Sequence, residues 1–196
     1  MKIACLAWGS LLWKTAPLAL ATPWHDDGPP LPLDFCRVGD GGELATALHE
    51  GSPLQICWWA LLQTGLLDEA REQLRQREQI DADRADGIGH LPADRAFPFD
   101  ERIRAWMAGK PIDAVVWTAL SPRFDGVEGR APDAAGAARY LDSLANGKRD
   151  HAEQYIRRMP ARFRTPTRSE IERRLGWTPL PEALAASGAP RAFAAP

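Results

Sequence analysis

The order of its segments predicts an α+β fold for this chain, built around an antiparallel or mixed sheet. Short apolar runs bounded by glycine and proline come first, then one amphipathic stretch, another apolar run, and finally a series of helical segments. That order lacks the regular strand and helix alternation of a parallel sheet. A length of 196 residues with 45% apolar content is enough for one core. The 24 Lys and Arg against 26 Asp and Glu leave a net charge of −2, which excludes a disordered polyelectrolyte and any whole-molecule attraction to nucleic acid or a lipid surface.

Taken in order, Lys2 to Trp8 reads as a short buried strand that stops at Gly9-Ser10. Pro23 to Pro32 reads as a loop, since each proline removes a donor and fixes φ. Leu33–Val38 and Glu43–His49 form the two arms of a hairpin, and Gly39-Asp40-Gly41-Gly42 supplies the positive φ its reversal needs. Gln55–Leu62 is a further strand, dense in large apolar groups. From Leu67 to Ile80 the period changes: Leu67, Ala70 and Leu74 recur at helical steps, and Asp68 and Glu69 suit a helix N-terminus. Residues 81–99 read as irregular, Asp100–Ala108 as a second helix stopped by Gly109, and Asp113–Leu120 as a strand. Beyond Pro122 the expectation is helical: Asp133–Ala145, Arg149–Arg158 and Glu170–Leu175, with Thr167 and Glu170 as a capping box. The division expected is a domain over 1–125 and a helical C-terminal extension over 126–196 packed on it as one unit.

Cys5, Cys36 and Cys57 are odd in number and widely spaced, without the pattern of a zinc site. Reduced thiols and a cytoplasmic location are expected. Lys2 and the apolar residues after it imitate a signal peptide, but Gly9-Ser10 and Lys14 interrupt the run. No stretch reaches the roughly 18 apolar residues of a membrane span.

Glu78 falls on the same helical arc as Leu67, Ala70 and Leu74, so a carboxylate stands where the pattern calls for an apolar residue. Burial there raises a carboxyl pKa and equips it to move a proton near neutral pH. The alternative is that the helix frays near Gln79 and leaves Glu78 in water, or paired with Arg71 or Arg75. Trp8-Gly9-Ser10-Leu11 is the second candidate, because glycine permits close approach to the backbone and successive N–H groups after a strand form a concave donor set.

A strand running into aromatic-Gly-Ser-Leu at the N-terminus, a hairpin, a strand leading to a Leu-rich helix and a Glu at that helix's end together resemble the γ-glutamylcyclotransferase-like family. The resemblance covers roughly residues 2–120. It implies a small mixed β-barrel flanked by helices. It further implies substrate binding by Trp8, Gly9, Ser10 and Leu11, with Glu78 as the catalytic acid/base and no cofactor or metal. Trp8 replaces the family's usual tyrosine, and Gln79 stands where the family commonly has glycine. The implied activity is release of 5-oxoproline from a γ-glutamyl amine or peptide. Alternatives are an amide hydrolase using the same pocket, or a non-catalytic small-molecule-binding or interaction protein.

Arg37, two residues after Phe35 on a hairpin strand, is a candidate for a substrate carboxylate or else a structural ion-pair residue. His25, His49, His90 and His151 show no spacing that sets two imidazoles on one face, and Asp81, Asp83 and Asp86 lack the pattern of a calcium loop. Between Lys148 and Arg174 there are 9 basic and 4 acidic residues, read as a solvated helical face more than a nucleic-acid site. The chain holds 8 Trp, most expected as packing, with Trp8 placed to report ligand binding by fluorescence.

Overall fold

The computed structural model of the protein describes residues 1–93 and 95–181. Strand β1 (Ile3–Ala7) is buried along its whole length. Ala4 and Leu6 face one apolar cluster, while Ile3, Cys5 and Ala7 face another. A strand with both faces covered reads as a continuous apolar run, which is why IACLA lacks alternation. It passes into a 3-10 turn over Gly9–Leu12, and Gly9 makes the bend at φ +77°.

Strand β2 (Pro30–Val38) and β3 (Leu44–Leu48) form the expected hairpin, with a register shift between Phe35 and Arg37. β2 begins inside the proline stretch assigned above to a loop. Pro30 and Pro32 are paired with β4 (Leu54–Ile56) at the end of the strand, where a missing donor is tolerated. The single strand expected over 55–62 is two: β4 pairs β2, the chain turns at buried Cys57, and β5 (Trp58–Leu61) pairs β1.

Helix α1 (Leu67–Arg77) buries Ala70 and Leu74 and ends three residues earlier than its periodicity suggests, because Gln79 adopts φ 54°. The segment expected to be irregular contains β6 (Ile88–Leu91), antiparallel to β7 (Ala114–Thr118), with α2 (Asp100–Met107) between them. Gly89 is required in β6, since a Cβ there would lie 2.1 Å from the Trp117 ring. A short hairpin, β8 (Arg123–Phe124) and β9 (Val127–Glu128), interrupts the region expected to be wholly helical. Helices α3 (Ala134–Ser143), α4 (Asn146–Arg158) and α5 (Pro166–Leu175) follow.

The Thr165 hydroxyl caps α5, and Pro166 occupies its first turn, so the capping box expected at Thr167 does not form. Thr165 and Thr167 instead donate to Asp34 on β2 at 2.7 and 2.8 Å, tying α5 to the sheet. On the basic face expected to be solvated, one of the nine basic residues is the exception. Arg168 is fully buried and donates to the carbonyls of Met159, Pro160 and Phe163 and to Glu172.

The fold is therefore mixed α+β, with one sheet in the order β5-β1-β7-β6 and a second in the order β3-β2-β8-β9, β4 lying on β2. Among the described residues the two sheets do not close into one ring. One apolar cluster runs from β1 and β2 through Leu141, Ile156 and Ile171 of α3, α4 and α5. The second lies between β1, β7 and α1. No described helix is long and apolar enough to cross a membrane. Residues 182–196 of the expected C-terminal extension lie outside the described residues.

Candidate active site

A cavity of about 700 Å³ opens where the two sheets meet, between the C-terminal end of α1 and one face of α4. Glu78, immediately after α1, lines it with Trp8 and Ser10 from the end of β1 and Arg37 from β2. The four residues that the sequence places at separate positions thus share one concavity. Gly9 and Leu11 are not part of its lining. Leu11 is 2% exposed and packs toward α1 in the second apolar cluster. Gly9 is covered by Tyr155 of α4, whose hydroxyl would lie 2.2 Å from a Cβ at that position.

Glu78 keeps a right-handed backbone (φ −86°, ψ −1°) as the C-cap of α1, so its side chain continues the helical direction although the helix has ended. Its side chain is 20% exposed. Burial pushes its carboxyl above the usual carboxylate range, and the Arg77 guanidinium pulls it partly back. The C-terminal end of a helix also disfavours negative charge. Arg71 and Arg75, the partners considered above, are engaged elsewhere, with Asp68 and Glu72.

Arg77 is the residue that sequence reasoning passed over. Its side chain is 8% exposed. Nε donates to the Lys14 carbonyl at 2.6 Å, Nη2 to the Ser10 hydroxyl at 2.8 Å and Nη1 to Glu78 Oε1 at 3.3 Å. One guanidinium therefore ties the Ser10 turn to the carboxyl group.

Helix α4 brings the second unanticipated set. His151, Gln154, Tyr155 and Arg158 recur at helical steps and wall the cavity. The Tyr155 hydroxyl accepts from the Thr46 amide at 3.1 Å and lies 3.1 Å from the Thr46 hydroxyl. Burial pushes this phenol up to about 12, against the Thr46 hydrogen bonds and with the Glu78 and Glu43 carboxylates adding to the rise. The Trp13 ring packs edge-on against Tyr155 with centroids 5.5 Å apart. A spacing of 151, 154, 155 and 158 was visible in the sequence as one helical stripe, but its partner across the cavity was not.

Arg37 reaches the cavity but is held there. Nη1 and Nη2 form a fork with Glu128 at 2.8 and 3.0 Å, and Nη1 also donates to the Ser121 carbonyl at 2.7 Å. The Arg37 guanidinium holds the Glu128 carboxyl down at about 2.

No family model, curated protein or solved structure matches this chain. The chemistry of the site accordingly rests on its own geometry. Among the described residues no three His, Cys, Asp or Glu side chains gather as a metal set. What the cavity does offer is a partly buried carboxyl pushed above the usual carboxylate range, the end of a glycine-initiated turn, and an excess of cations. Six Lys and Arg side chains line it against four carboxyls, and among the described residues the Lys14 and Arg158 side chains make no ion pair. Such a wall suits an anionic ligand that exchanges a proton.

Proposed function

We propose that the protein is a γ-glutamylcyclotransferase-like enzyme that releases 5-oxoproline from a γ-glutamyl amine or peptide. The observation that carries this reading is the shared placement of Glu78 and the Ser10 turn in one cation-rich cavity, joined through Arg77. The two sheets that both contribute to its wall support reading the architecture as an opened form of the family's small barrel.

In the proposed reaction the ionised Glu78 takes a proton from the substrate's α-ammonium group. The freed amine attacks the γ-carbonyl carbon, and the new C–N bond closes a five-membered ring. The developing oxyanion is met by the Ser10 backbone N–H, near the start of the turn, and by the Tyr155 hydroxyl, two residues of the cavity wall. Glu78 then returns the proton to the departing nitrogen as the original amide bond breaks, and the second proton shed by the ring nitrogen follows to the released amine, leaving 5-oxoproline and the amine in its ammonium form. Intramolecular attack already carries effective molarities of about 10⁵ M or more when the groups are aligned, so positioning and proton transfer are the enzyme's main contributions.

The test is assay of 5-oxoproline release from a panel of γ-glutamyl amines and peptides by wild type and Glu78→Gln. Wild-type product with about 10²-fold or greater loss in the variant is expected. Absence of product across the panel, or retained turnover in a folded Glu78→Gln protein, overturns the reading. Binding without turnover is read separately from fluorescence, since Trp8 and Trp13 both line the cavity.

A further inference from the structure

We propose that Arg77 is a positioning residue, which locks the Ser10 turn and Glu78 into one unit and supplies the positive charge that balances the Glu78 carboxylate. This deepens the cyclotransferase reading and rests on it for the reaction, though not for the geometry.

All three faces of the guanidinium are in use, on the Lys14 carbonyl, the Ser10 hydroxyl and Glu78. The first two contacts hold the segment that follows β1, and the third holds the carboxyl at the end of α1. A planar fork with fixed donor directions can make these contacts together, whereas a lysine ammonium offers one point charge and cannot span all three. Only 8% of the side chain is exposed, and the contacts to Ser10 and Glu78 are partly shielded from water, which strengthens both.

The contact to Glu78 differs from the pair made by Arg37, another residue of the cavity wall, in a way that fits proton exchange. Arg37 grips Glu128 through two bonds at 2.8 and 3.0 Å, and that carboxyl is held down at about 2. A carboxylate so tightly paired stays ionised throughout the neutral range and is a poor proton carrier. Arg77 meets Glu78 through one contact at 3.3 Å, leaving the second carboxylate oxygen unused by it. Burial acts in the opposite direction, and the balance leaves the group raised yet partly countered. The other titratable groups that face Glu78 are Cys5 on β1 and Tyr155 on α4, both themselves raised by burial and so uncharged at neutral pH. Lys14, Arg158, Glu43 and Asp81 also line the cavity, but among the described residues Arg77 is the one charge in ion-pair contact with Glu78. Without it nothing would counter the effect of burial, the carboxyl would rise further, and a smaller ionised fraction would remain to accept a proton from an ammonium group.

The experiment compares wild type, Arg77→Met and Arg77→Lys, with Glu78→Gln as the reference. The first readout needs no turnover: the Glu78 carboxyl is followed by infrared difference spectra against Glu78→Gln over a pH series. Arg77→Met is expected to raise the titration midpoint by about one unit or more, and Arg77→Lys to leave it near wild type. The second readout is the pH–rate profile for 5-oxoproline release from γ-glutamyl-alanine. Arg77→Met should move the acidic limb upward and lower kcat about tenfold or more at pH 7. Arg77→Lys should restore the limb while kcat stays depressed, because the Ser10 contact is lost. Should Arg77→Met fail to fold, Arg77→Gln removes the same charge and replaces it. An unchanged midpoint in the charge-removing variant overturns the proposal even if the enzyme is active. A shifted midpoint in a protein without γ-glutamyl turnover upholds the charge role and removes the cyclotransferase reading instead.

Discussion

Gly9→Ala tests how the cavity floor is built, and its cost follows from three distances. Gly9 sits at φ +77°, where an L side chain costs about 1–2 kcal/mol. The new Cβ would lie 2.2 Å from the Tyr155 hydroxyl oxygen and 2.7 Å from the Thr46 hydroxyl oxygen. Tyr155 has to withdraw, and with it go both contacts to Thr46 at 3.1 Å. A buried Thr46 amide without a partner adds about 1–3 kcal/mol, for a total near 2–5 kcal/mol. Tyr155→Phe alone removes the same hydroxyl and costs about 1–3 kcal/mol. In the double variant that loss is counted once and the next atom of the Tyr155 ring, Cζ, stands 3.4 Å from the Cβ, an ordinary contact, while the Thr46 hydroxyl at 2.7 Å has to turn away in both Gly9 variants and cancels from the comparison. The double variant is therefore expected to be more stable than the sum of the singles by about 1–3 kcal/mol, as befits residues in contact. Urea unfolding of the four proteins measures this directly. Additivity within about 0.5 kcal/mol would refute the argument that Tyr155 occupies the space Gly9 leaves open.

Two further perturbations concern stability. Glu78→Gln should change the pH dependence of melting with a defined sign: a carboxyl raised by burial favours the fold fully below its unfolded value of about 4.3 and loses that contribution as pH rises through the folded value. Gln stays neutral, so Tm of the variant minus that of wild type should grow from pH 4 to pH 8, and a difference that shrinks with pH sinks the burial argument. Arg168→Met should cost about 3–5 kcal/mol and lower Tm by roughly 10 °C, because the Met159, Pro160 and Phe163 carbonyls lose their shared donor. A change below about 1 kcal/mol by calorimetry would show that water replaces the guanidinium.

The parts of the fold that sequence made legible are those whose signal is local. Apolar periodicity and flanking glycines place β1, the β2–β3 hairpin, α1 and α2 within a few residues. The misses share a different cause, which is that a distant neighbour decides the outcome. Ile88–Leu91 carries a Gly and a His and reads as loop, yet it is buried throughout because Gly89 lets Trp117 of β7 press against it. Pro30 and Pro32 read as breakers, but they lie where β2 is paired with β4 and their missing amides cost little. Arg168 counts as one more surface cation until the 159–163 turn folds around it. In the site itself, Trp8, Ser10, Arg37 and Glu78 are legible as candidates, whereas Tyr155 and Arg77 are not, since their meaning lies in contacts spanning 109 and 67 residues of chain.

Glu78 joins both sides of that division. The apolar arc that singles it out belongs to a helix that stops at Arg77, so the argument from periodicity reaches one residue past its physical basis. It still identifies a partly buried group because the cap keeps right-handed dihedrals, and only at Gln79, with φ 54°, does the chain leave the helical path. The same early ending sets the electrostatics. A carboxyl inside the helix could have met Arg75 one turn away, but Arg75 is paired with Glu72 at 2.7 Å. At the cap it faces the strand end instead, and the adjacent Arg77 turns back to meet both it and Ser10. The reversal at Gln79 is thus what converts an amphipathic helix end into a carboxyl held beside a donor-bearing turn.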